Sequence, residues 1–358
     1  MSQKSDQGPS AQTAGAVKPQ GPRLRVEAAA VGSGDERLGS GDLMERVCER
    51  QNLLAALKRV RQNAGSPGID GITVEALSGY LRVHWPRLRE ELLAGCYQPQ
   101  PVRRVAIPKA GGGERELGIP TVLDRFIQQA LLQVLQPLFD PTFSEASFGF
   151  RPGRSAHDAV LRAQAYVQEG RSSVRAGERV MASVERFLDR RLKLKVNMHK
   201  SAVASPHRRK FLGFSFTDEK MPRRRIAPQA VVRFKERVRV LTMRTRGASL
   251  VQIAKELSLY LKGWRGYFGF CETPSVLRSL DQWIRRRFRS IAWKQWKGGR
   301  TRFAELRRRG VGHHLAAQTA GSVHGPWRIS NSPALAIALP NAFLAAIGLT
   351  SLAPANVA

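Results

Sequence analysis

Residues 163–183, AQAYVQEGRSSVRAGERVMAS, bring two helical patterns almost end to end. Gly170 ends the first pattern, and the second begins near Gly177 after only a few polar residues. Both flanks have the character of parts of a larger fold, yet the junction between them is abrupt. It is either an ordinary loop or the place where a segment has been lost from the fold.

Before this junction the patterns predict helices and one hairpin. Residues 102–107 and 115–120 are short extended runs around the glycine-rich tip AGGGE, which predicts a hairpin. Thr121 precedes an amphipathic helix as its N-cap, and Ser155 with Asp158 forms a capping box for the helix that stops at Gly170.

After the junction the patterns predict a small sheet and then basic helices. The runs LKLKVN, SAVAS and KFLGFSF predict three short strands. From Met221 onward the chain is predicted to be helical and basic, with a capping box of Ser249 and Gln252. The fold class predicted from these patterns is α+β.

The charge of the chain is concentrated in one region. The sequence has 59 Lys and Arg against 28 Asp and Glu, a formal net charge of +31. Residues 171–310 hold 37 of the basic residues and 10 of the acidic ones, and therefore nearly all of the excess. Such a segment is self-repulsive unless a polyanion neutralises it, so the charge predicts nucleic-acid binding.

Cysteine usage and hydropathy predict a cytoplasmic protein. Cys48, Cys96 and Cys271 are an odd number of cysteines, far apart, which favours neither a disulfide framework nor a zinc site. The N-terminus lacks the apolar run of a signal peptide. The longest apolar stretch, residues 333–349, is interrupted by Pro340 and Asn341 and is too short to cross a bilayer. No membrane partner is expected, and the oligomeric state is not predicted.

Three stretches carry cations in patterns suited to phosphates. Lys109 and Arg115 flank the glycine-rich hairpin tip, where a point charge and a planar fork suit an incoming triphosphate. A solvated hairpin tip is the alternative interpretation. The runs MPRRRIAP and QWIRRRFR offer charge without base specificity and predict RNA-phosphate contacts by Arg223, Arg224, Arg225, Arg285, Arg286 and Arg287.

A fourth stretch, YLKGWRGYFGF, alternates cations with aromatic rings. This pattern predicts that bases stack on the rings while Lys and Arg neutralise phosphates. The predicted RNA-binding residues are Lys262, Trp264, Arg265, Tyr267 and Phe268. The alternative is that Leu261, Trp264 and Phe268 form the buried stripe of a helix.

Several stretches, in order, resemble the bacterial group II intron-encoded reverse transcriptase/maturases. The blocks GSPGIDGITVEAL, RRVAIPKAGGGERELGIPTVLDRFIQQALLQVLQPLFDPTFSEASFGFRPGRSAHDAV and GERVMASVERFLDRRLKLKVNMHKSAV are similar to fingers and palm blocks of that family. RRKFLGFSF resembles the block closing the palm, LKGWRGYFG the heart of the maturase or thumb domain, and LPNAFLAAIGLTSLAP the family's ending. The resemblance covers most of residues 42–355.

The resemblance implies a right-hand polymerase architecture with fingers, a truncated palm sheet and a helical basic thumb. Few large apolar side chains and many Gly, Ser, Gln and Ala residues predict a disordered leader at 1–41. The resemblance implies fingers and the start of the palm at 42–170, a palm remnant at 171–220, the thumb or maturase domain at 221–305, and a C-terminal extension at 306–358. Lys109 and Arg115 match the fingers pair that approaches the triphosphate of the incoming nucleotide.

The sequence departs from the family at the catalytic centre. Polymerases of this kind hold two divalent metal ions on palm carboxylates, one Asp after a first strand and an Asp-Asp pair in a turn. This sequence has no Asp-Asp dipeptide, and its acidic residues between 141 and 217 are Glu145, Asp158, Glu169, Glu178, Glu185 and Asp189. None of these lies in an apolar strand, so no catalytic or metal-binding residue is predicted. The junction at 163–183 is interpreted as the site of an internal deletion of the catalytic palm.

The leading hypothesis is a protein that binds structured group II intron RNA and assists splicing, with RNA-directed DNA polymerase activity lost. An RNA/DNA duplex is a further candidate partner. The alternatives are a polymerase whose palm residues are supplied in trans, and a non-functional, decayed remnant. No cofactor is expected for RNA binding, and Mg²⁺ only if polymerase activity is retained.

Overall fold

The computed structural model describes residues 40–109, 112–170, 173–198 and 201–353. Contacts divide the chain into two compact units, Met1–Pro141 and Thr142–Ala358. Helices dominate both units, and each unit also holds a two-stranded antiparallel sheet. The predicted α+β class is therefore confirmed, whereas the right-hand arrangement and the five functional segments stay predictions. Residues 1–39 of the predicted leader lie outside the described residues.

The first unit is a helical core with a hairpin. Its elements are α1 (Ser40–Val47), α2 (Arg50–Asn63), α3 (Leu77–Leu93), β1 (Arg103–Pro108), β2 (Glu114–Ile119) and α4 (Val122–Phe139). Thr121 caps α4 as predicted, since its side chain accepts a hydrogen bond from the Asp124 amide. Helices α2 and α4 bury Ala56, Val60, Phe126 and Ala130 against each other.

The predicted hairpin is confirmed by the pairing of β1 with β2. Ile107 lies opposite Arg115, and Pro108 lies opposite Glu114. The Lys109 amide donates to the Gly113 carbonyl at 2.8 Å, and Gly113 has a φ of 78°, which favours glycine. Residues 110 and 111 lie outside the described residues.

The second unit begins with two helices and a short sheet and continues as a helical array. A short 3₁₀ helix, Asp140–Thr142, precedes it. Its elements are α5 (Ala156–Gln168), α6 (Val174–Leu192), β3 (Phe214–Phe216), β4 (Arg224–Ile226), α7 (Pro228–Leu241), α8 (Leu250–Phe268), α9 (Pro274–Gln295), α10 (Gly299–Arg308), α11 (His313–Ala320), α12 (Pro326–Ile329), α13 (Pro333–Ala338) and α14 (Asn341–Ala346). None of the described helices combines the length and apolarity that crossing a membrane requires.

At the junction, α5 ends where the sequence predicts, and α6 begins earlier than predicted. The Ser155–Asp158 capping box of α5 is confirmed, and Gly170 follows the helix with a φ of 75°. Helix α6 starts at Val174, which places Gly177 inside it. A Cβ on Gly177 would lie 2.6 Å from Cγ1 of Val203. Glycine at this position therefore lets the chain around Val203 pass close to α6.

Helix α6 has no covering layer among the described residues. None of its residues is buried. Val180, Val184 and Phe187 lie at helical spacing and are 62%, 45% and 56% exposed. An amphipathic helix normally buries its apolar side, so the exposed face of α6 is a surface from which a neighbour is absent in the described structure.

Two of the three predicted strands are wrong. Residues 193–197 and 201–205 have no strand structure, and only KFLGFSF contributes one, β3. Its partner, β4, lies in the stretch predicted to be helical from Met221 onward, and α7 begins only at Pro228. A short apolar run becomes a strand only when another segment satisfies its backbone groups, and β4 does this for β3 alone.

The second unit has two large cores. In the first, α7, α8 and α9 pack through Phe234, Leu257, Leu261, Ile284 and Phe288, and the C-terminal residues Leu344 and Leu352 join them. Ser258 Oγ donates to the Gly348 carbonyl at 2.6 Å, which fastens the C-terminal segment to α8. The second core links the end of α9 to helices α10–α13. Residues on both sides of the predicted boundary at 305/306 therefore share their cores.

Candidate nucleic-acid interface

The three helices α7, α8 and α9 present their cations outward because their apolar stripes face each other. On α8 the buried positions Leu257, Leu261 and Trp264 follow helical spacing. The Trp264 ring centroid lies 4.3 Å from that of Phe234. Lys262 and Arg265 fall between the buried positions and are exposed.

The stretch YLKGWRGYFGF therefore divides between surface and core. Lys262 and Arg265 remain available to phosphates, although Arg265 Nη1 donates to the Ser351 carbonyl at 3.3 Å. Trp264 is buried, 9% exposed, and Phe268 is half-buried against the same core. The base-stacking role predicted for Trp264 stays a prediction, and in this structure core side chains such as Phe234 pack against its ring. The position of Trp264 agrees with the alternative interpretation, in which Leu261, Trp264 and Phe268 form the buried stripe of a helix.

Tyr267 links α8 to its surroundings. Its hydroxyl donates to the Leu212 carbonyl at 2.8 Å. Its own carbonyl lies 2.8 Å from Nε2 of His157 on α5. The ring is half-buried, and burial raises the pKa of the phenol.

The three arginines of MPRRRIAP have three different environments. Arg223 is exposed and forms two hydrogen bonds with the Glu219 carboxylate, at 2.8 and 2.9 Å. These bonds lower the pKa of Glu219. Arg225 lies half-buried, with Nε donating to Ser215 Oγ at 3.1 Å and Nη2 to the His207 carbonyl at 3.0 Å.

Arg224 is committed to the interior of the second unit. Its side chain is 14% exposed and pairs with Glu272 at 3.3 Å. Nη1 donates to the Gln164 side chain, and the guanidinium lies 4.2 Å from the ring centroid of Phe270. The RNA contact predicted for Arg224 stays a prediction, and in this structure the guanidinium is already engaged by protein groups.

The four arginines of QWIRRRFR line two neighbouring pockets. Arg287 lies in a pocket of about 330 Å³ with Arg239 and Arg244. Arg285 and Arg286 line a second pocket of about 490 Å³ together with Arg289. Trp283 belongs to both pockets, and neither is lined by a carboxylate among the described residues.

Arg287 is held by the start of the loop after α7. Its Nε donates to Thr242 Oγ1, and its Nη2 donates to the Thr242 carbonyl at 3.1 Å. Burial, and then the like charges of Arg239 and Arg244, lower the pKa of Arg287 to about 10. A guanidinium in this position gains from any anion that enters the pocket.

Sequence inspection missed Arg239, Arg244, Arg289 and Trp283 as members of this surface. A usable signal was the spacing of Trp283, Arg287 and Ser290, which places them on one face of a helix. Nothing in the sequence indicated that Arg239, 48 residues before Arg287, would reach the same pocket.

In the first unit, Lys109 and Arg115 lie where the hairpin prediction put them. Lys109 directly follows β1, and Arg115 belongs to β2. Both side chains are exposed. Their role at a triphosphate stays a prediction.

The acidic residues near the junction stay dispersed. Glu145 lies in a turn, Asp158 completes the cap of α5, and Glu178, Glu185 and Asp189 lie along α6. Among the described residues, no group of three or more His, Cys, Asp or Glu side chains is placed to hold a metal ion.

Known proteins match parts of this chain. Residues 231–310 match the family described as group II intron, maturase-specific domain. Protein YkfC of Escherichia coli (strain K12) is 46% identical over 118 residues, which are 32% of this chain and 31% of that protein. The group II intron-encoded protein LtrA of Lactococcus lactis subsp. cremoris is 37% identical over 106 residues, 29% of this chain and 18% of that protein.

A plant relative matches over a shorter stretch. Nuclear intron maturase 2, mitochondrial, of Arabidopsis thaliana is 36% identical over 91 residues, 23% of this chain and 12% of that protein. The matches with these relatives span less than a third of each relative's length. The matched domain begins in α7 and ends just after α10, so it contains the arginines of both pockets. Over part of its length the chain is therefore similar to group II intron-encoded proteins.

Proposed function

We propose that this chain binds structured group II intron RNA through the outer face of α7, α8 and α9 and thereby assists splicing. The observation that carries the proposal is that α7, α8 and α9 share one apolar core, while Lys262, Arg265 and the arginines of two pockets lie outside that core. Such a face neutralises closely spaced phosphates without reading base edges. Recognition then comes from the shape of the folded RNA.

The binding step is tested with purified full-length chain and a transcribed group II intron RNA. Affinity is measured by filter binding or fluorescence anisotropy from low to physiological salt, with an unstructured RNA of equal length as control. We expect tight binding that favours the folded intron and weakens linearly on a log–log plot as salt rises. The absence of binding to any structured RNA at low salt would contradict the proposal.

Assistance of splicing is a separate step with its own test. We expect the protein to raise the rate at which the intron excises itself at low Mg²⁺, because neutralising phosphates replaces part of the work of the metal in folding the RNA. A time course of excision with and without protein measures this. Binding without any change in excision would leave an RNA-binding protein that does not assist splicing.

We also propose that the chain does not polymerise DNA. The proposal rests on the missing Asp-Asp pair and on the dispersed acidic residues near the junction. The opposing candidate, a polymerase completed in trans, is favoured by the hairpin that carries Lys109 and Arg115. Primer extension on an RNA template with Mg²⁺ decides, and incorporation by this chain alone would overturn our proposal.

A decayed remnant is the third candidate, and it predicts a poorly packed chain. The buried polar contacts of the second unit, such as Asp281 accepting bonds from the Leu352 and Ala353 amides, support a folded protein instead. A cooperative thermal transition is expected, and a broad, non-cooperative one would favour the remnant. We infer that the protein acts in the cytoplasm, where its three free thiols stay reduced.

A further inference from the structure

One of the arginine-lined pockets has the features of a built anion site. It lies between the end of α7, the middle of α9 and α12, with a volume of about 330 Å³, at the lower end of the range of ligand pockets. Arg239, Arg244 and Arg287 converge on it. The described residues that line it include no Asp or Glu, so their three charges have no counter-ion from the protein there.

The pocket is organised before any ligand arrives. Thr242 holds Arg287 through both its hydroxyl and its carbonyl. The Trp283 ring lies beside the cations, with the Arg287 and Arg239 guanidinium carbons 5.3 and 5.9 Å from its centroid. This ring reduces the repulsion between cations held so near each other. The charge of Arg287 is therefore held at the wall of the pocket before an anion binds, which lowers the cost of ordering this side chain on binding.

A second, independent feature is a hydroxyl without a partner. Ser290 lines the pocket and is 2% exposed. Among the described residues its Oγ has no hydrogen-bond partner. A buried hydroxyl in a protein normally has one, so this position indicates a group that arrives with the ligand. An oxygen-rich anion would accept from this hydroxyl and from the guanidinium groups.

We propose that this pocket is a phosphate-binding site, built from Arg239, Arg244, Arg287 and Ser290, which takes one phosphate of a bound nucleic acid. The assignment of the phosphate to RNA rests on the proposed function, whereas the pocket itself does not. Planar guanidinium groups match phosphate oxygens, and a serine hydroxyl donates to a further one. The neighbouring pocket, with Arg285, Arg286 and Arg289, shares Trp283 and would receive the next part of the same strand.

The test compares two double variants that each remove two charges. The pocket variant is Arg239→Gln with Arg244→Gln, and the control variant is Arg233→Gln with Arg237→Gln. All four arginines are exposed and lie on α7 or in the loop that follows it. Neither variant therefore removes a side chain from the core. We expect the pocket variant to bind a folded intron RNA about tenfold more weakly than the control variant, with a clearly smaller salt slope. Equal affinity and slope for the two variants would overturn the proposal.

The source of the phosphate is decided with two further probes. Inorganic phosphate and a ten-residue oligouridylate are each titrated into wild type and both variants, with thermal stability as the readout. If both probes stabilise the wild type and only the pocket variant loses this effect, the pocket is a general phosphate site. If only the oligonucleotide stabilises the wild type, the pocket is a site for the nucleic-acid backbone. Stabilisation that all variants share would contradict a site in this pocket.

Ser290→Ala adds a readout that a structural role would not produce. Removal of an unpartnered hydroxyl should leave the stability of the free protein unchanged or raised, while RNA affinity falls about threefold. A parallel loss of stability and affinity would show that the hydroxyl serves the fold instead. Wild type that binds no intron RNA, with a phosphate response confined to the pocket, would leave the site standing and remove the proposed function. Wild type that binds intron RNA, with a phosphate response that is not confined to the pocket, would contradict the proposed site and leave the proposed function standing.

Discussion

Arg224 and Glu272 form an ion pair with Nη2 and Oε1 3.3 Å apart, at the point where three elements of the second unit meet. Glu272 also accepts a hydrogen bond from the Arg224 amide at 2.7 Å and one from the Gln164 side chain at 2.9 Å. Helix α5, strand β4 and the chain after α8 are joined by this network. The segments on the two sides of the junction at 163–183 are thus held by specific polar contacts as well as by apolar packing.

Replacing Arg224 should destabilise the protein far more than replacing its neighbour. Arg224→Ala removes the cation that pairs with Glu272 and the donor to the side-chain oxygen of Gln164, and we expect a loss of about 2–4 kcal/mol in the free energy of unfolding. Arg223→Ala breaks an exposed pair with Glu219 and should cost less than about 1 kcal/mol. Denaturant unfolding of both variants measures the difference. Equal losses would mean that the network around Arg224 does not stabilise the fold.

Replacing Trp264 should change mainly the stability of the protein, and replacing Lys262 should change mainly its RNA binding. Trp264→Ala empties part of the core and should lower the free energy of unfolding by about 3–5 kcal/mol. Lys262→Ala should change it by less than about 0.5 kcal/mol while reducing the salt slope of RNA binding by about one. Thermal melts and anisotropy titrations on both variants provide the measurement. A Trp264→Ala protein that is as stable as wild type but binds RNA more weakly would support the base-stacking role of Trp264.

Acid should remove the contribution that the Glu305 carboxylate makes to the free energy of unfolding. Hydrogen bonds first from Arg308 and then from Arg309 lower the pKa of Glu305 in the folded protein. A lowered pKa stabilises the fold above the unfolded value of about 4.3, and this stability is lost as the pH falls through the folded pKa. Wild type should therefore melt higher than Glu305→Gln near pH 7, and the gap should close toward pH 3.

The control for this comparison is Glu236→Gln, an exposed carboxylate on α7. Its melting temperature should follow that of wild type across the same pH range. A gap between wild type and Glu305→Gln that stays constant with pH would show that the difference does not arise from titration of this carboxylate.

The exposed face of α6 should cause self-association. Val180→Ser with Phe187→Ser removes two apolar side chains from one patch, and we expect less association at high protein concentration. Val240→Ser with Leu259→Ser changes two exposed apolar residues on different helices and should have little effect. Sedimentation velocity measures the association. No difference between the two double variants would show that the face is not adhesive.

Features fixed by neighbouring residues could be predicted from the sequence. Thr121 and Ser155 were identified as caps because the capping bond joins residues three positions apart. Ser249 is only half of the predicted box, because its Oγ accepts from the Gln252 amide while the Gln252 side chain bonds to Glu256. Side-chain competition of this kind leaves no trace in a short pattern.

Features fixed by distant partners could not be predicted. Strand β4 exists because β3 is beside it, and the basic run RRRIAP gave no sign of a strand. Trp264 belongs to a sequence in which rings alternate with cations, a pattern equally suited to stacking and to a helix with one buried side. Only the packing against Phe234 separates these two possibilities.

The contact between His157 and the Tyr267 carbonyl has a consequence for synthesis on the ribosome. These residues are 110 positions apart, and the small core of Val160, Phe214 and Phe216 depends on the same closure. Helix α5 therefore leaves the ribosome long before the segment that covers it has been translated. At about 5–20 residues per second, its apolar side waits for several seconds in an unfinished chain. The first unit can complete its core during that wait, whereas in the second unit apolar surface stays uncovered until translation has passed Tyr267.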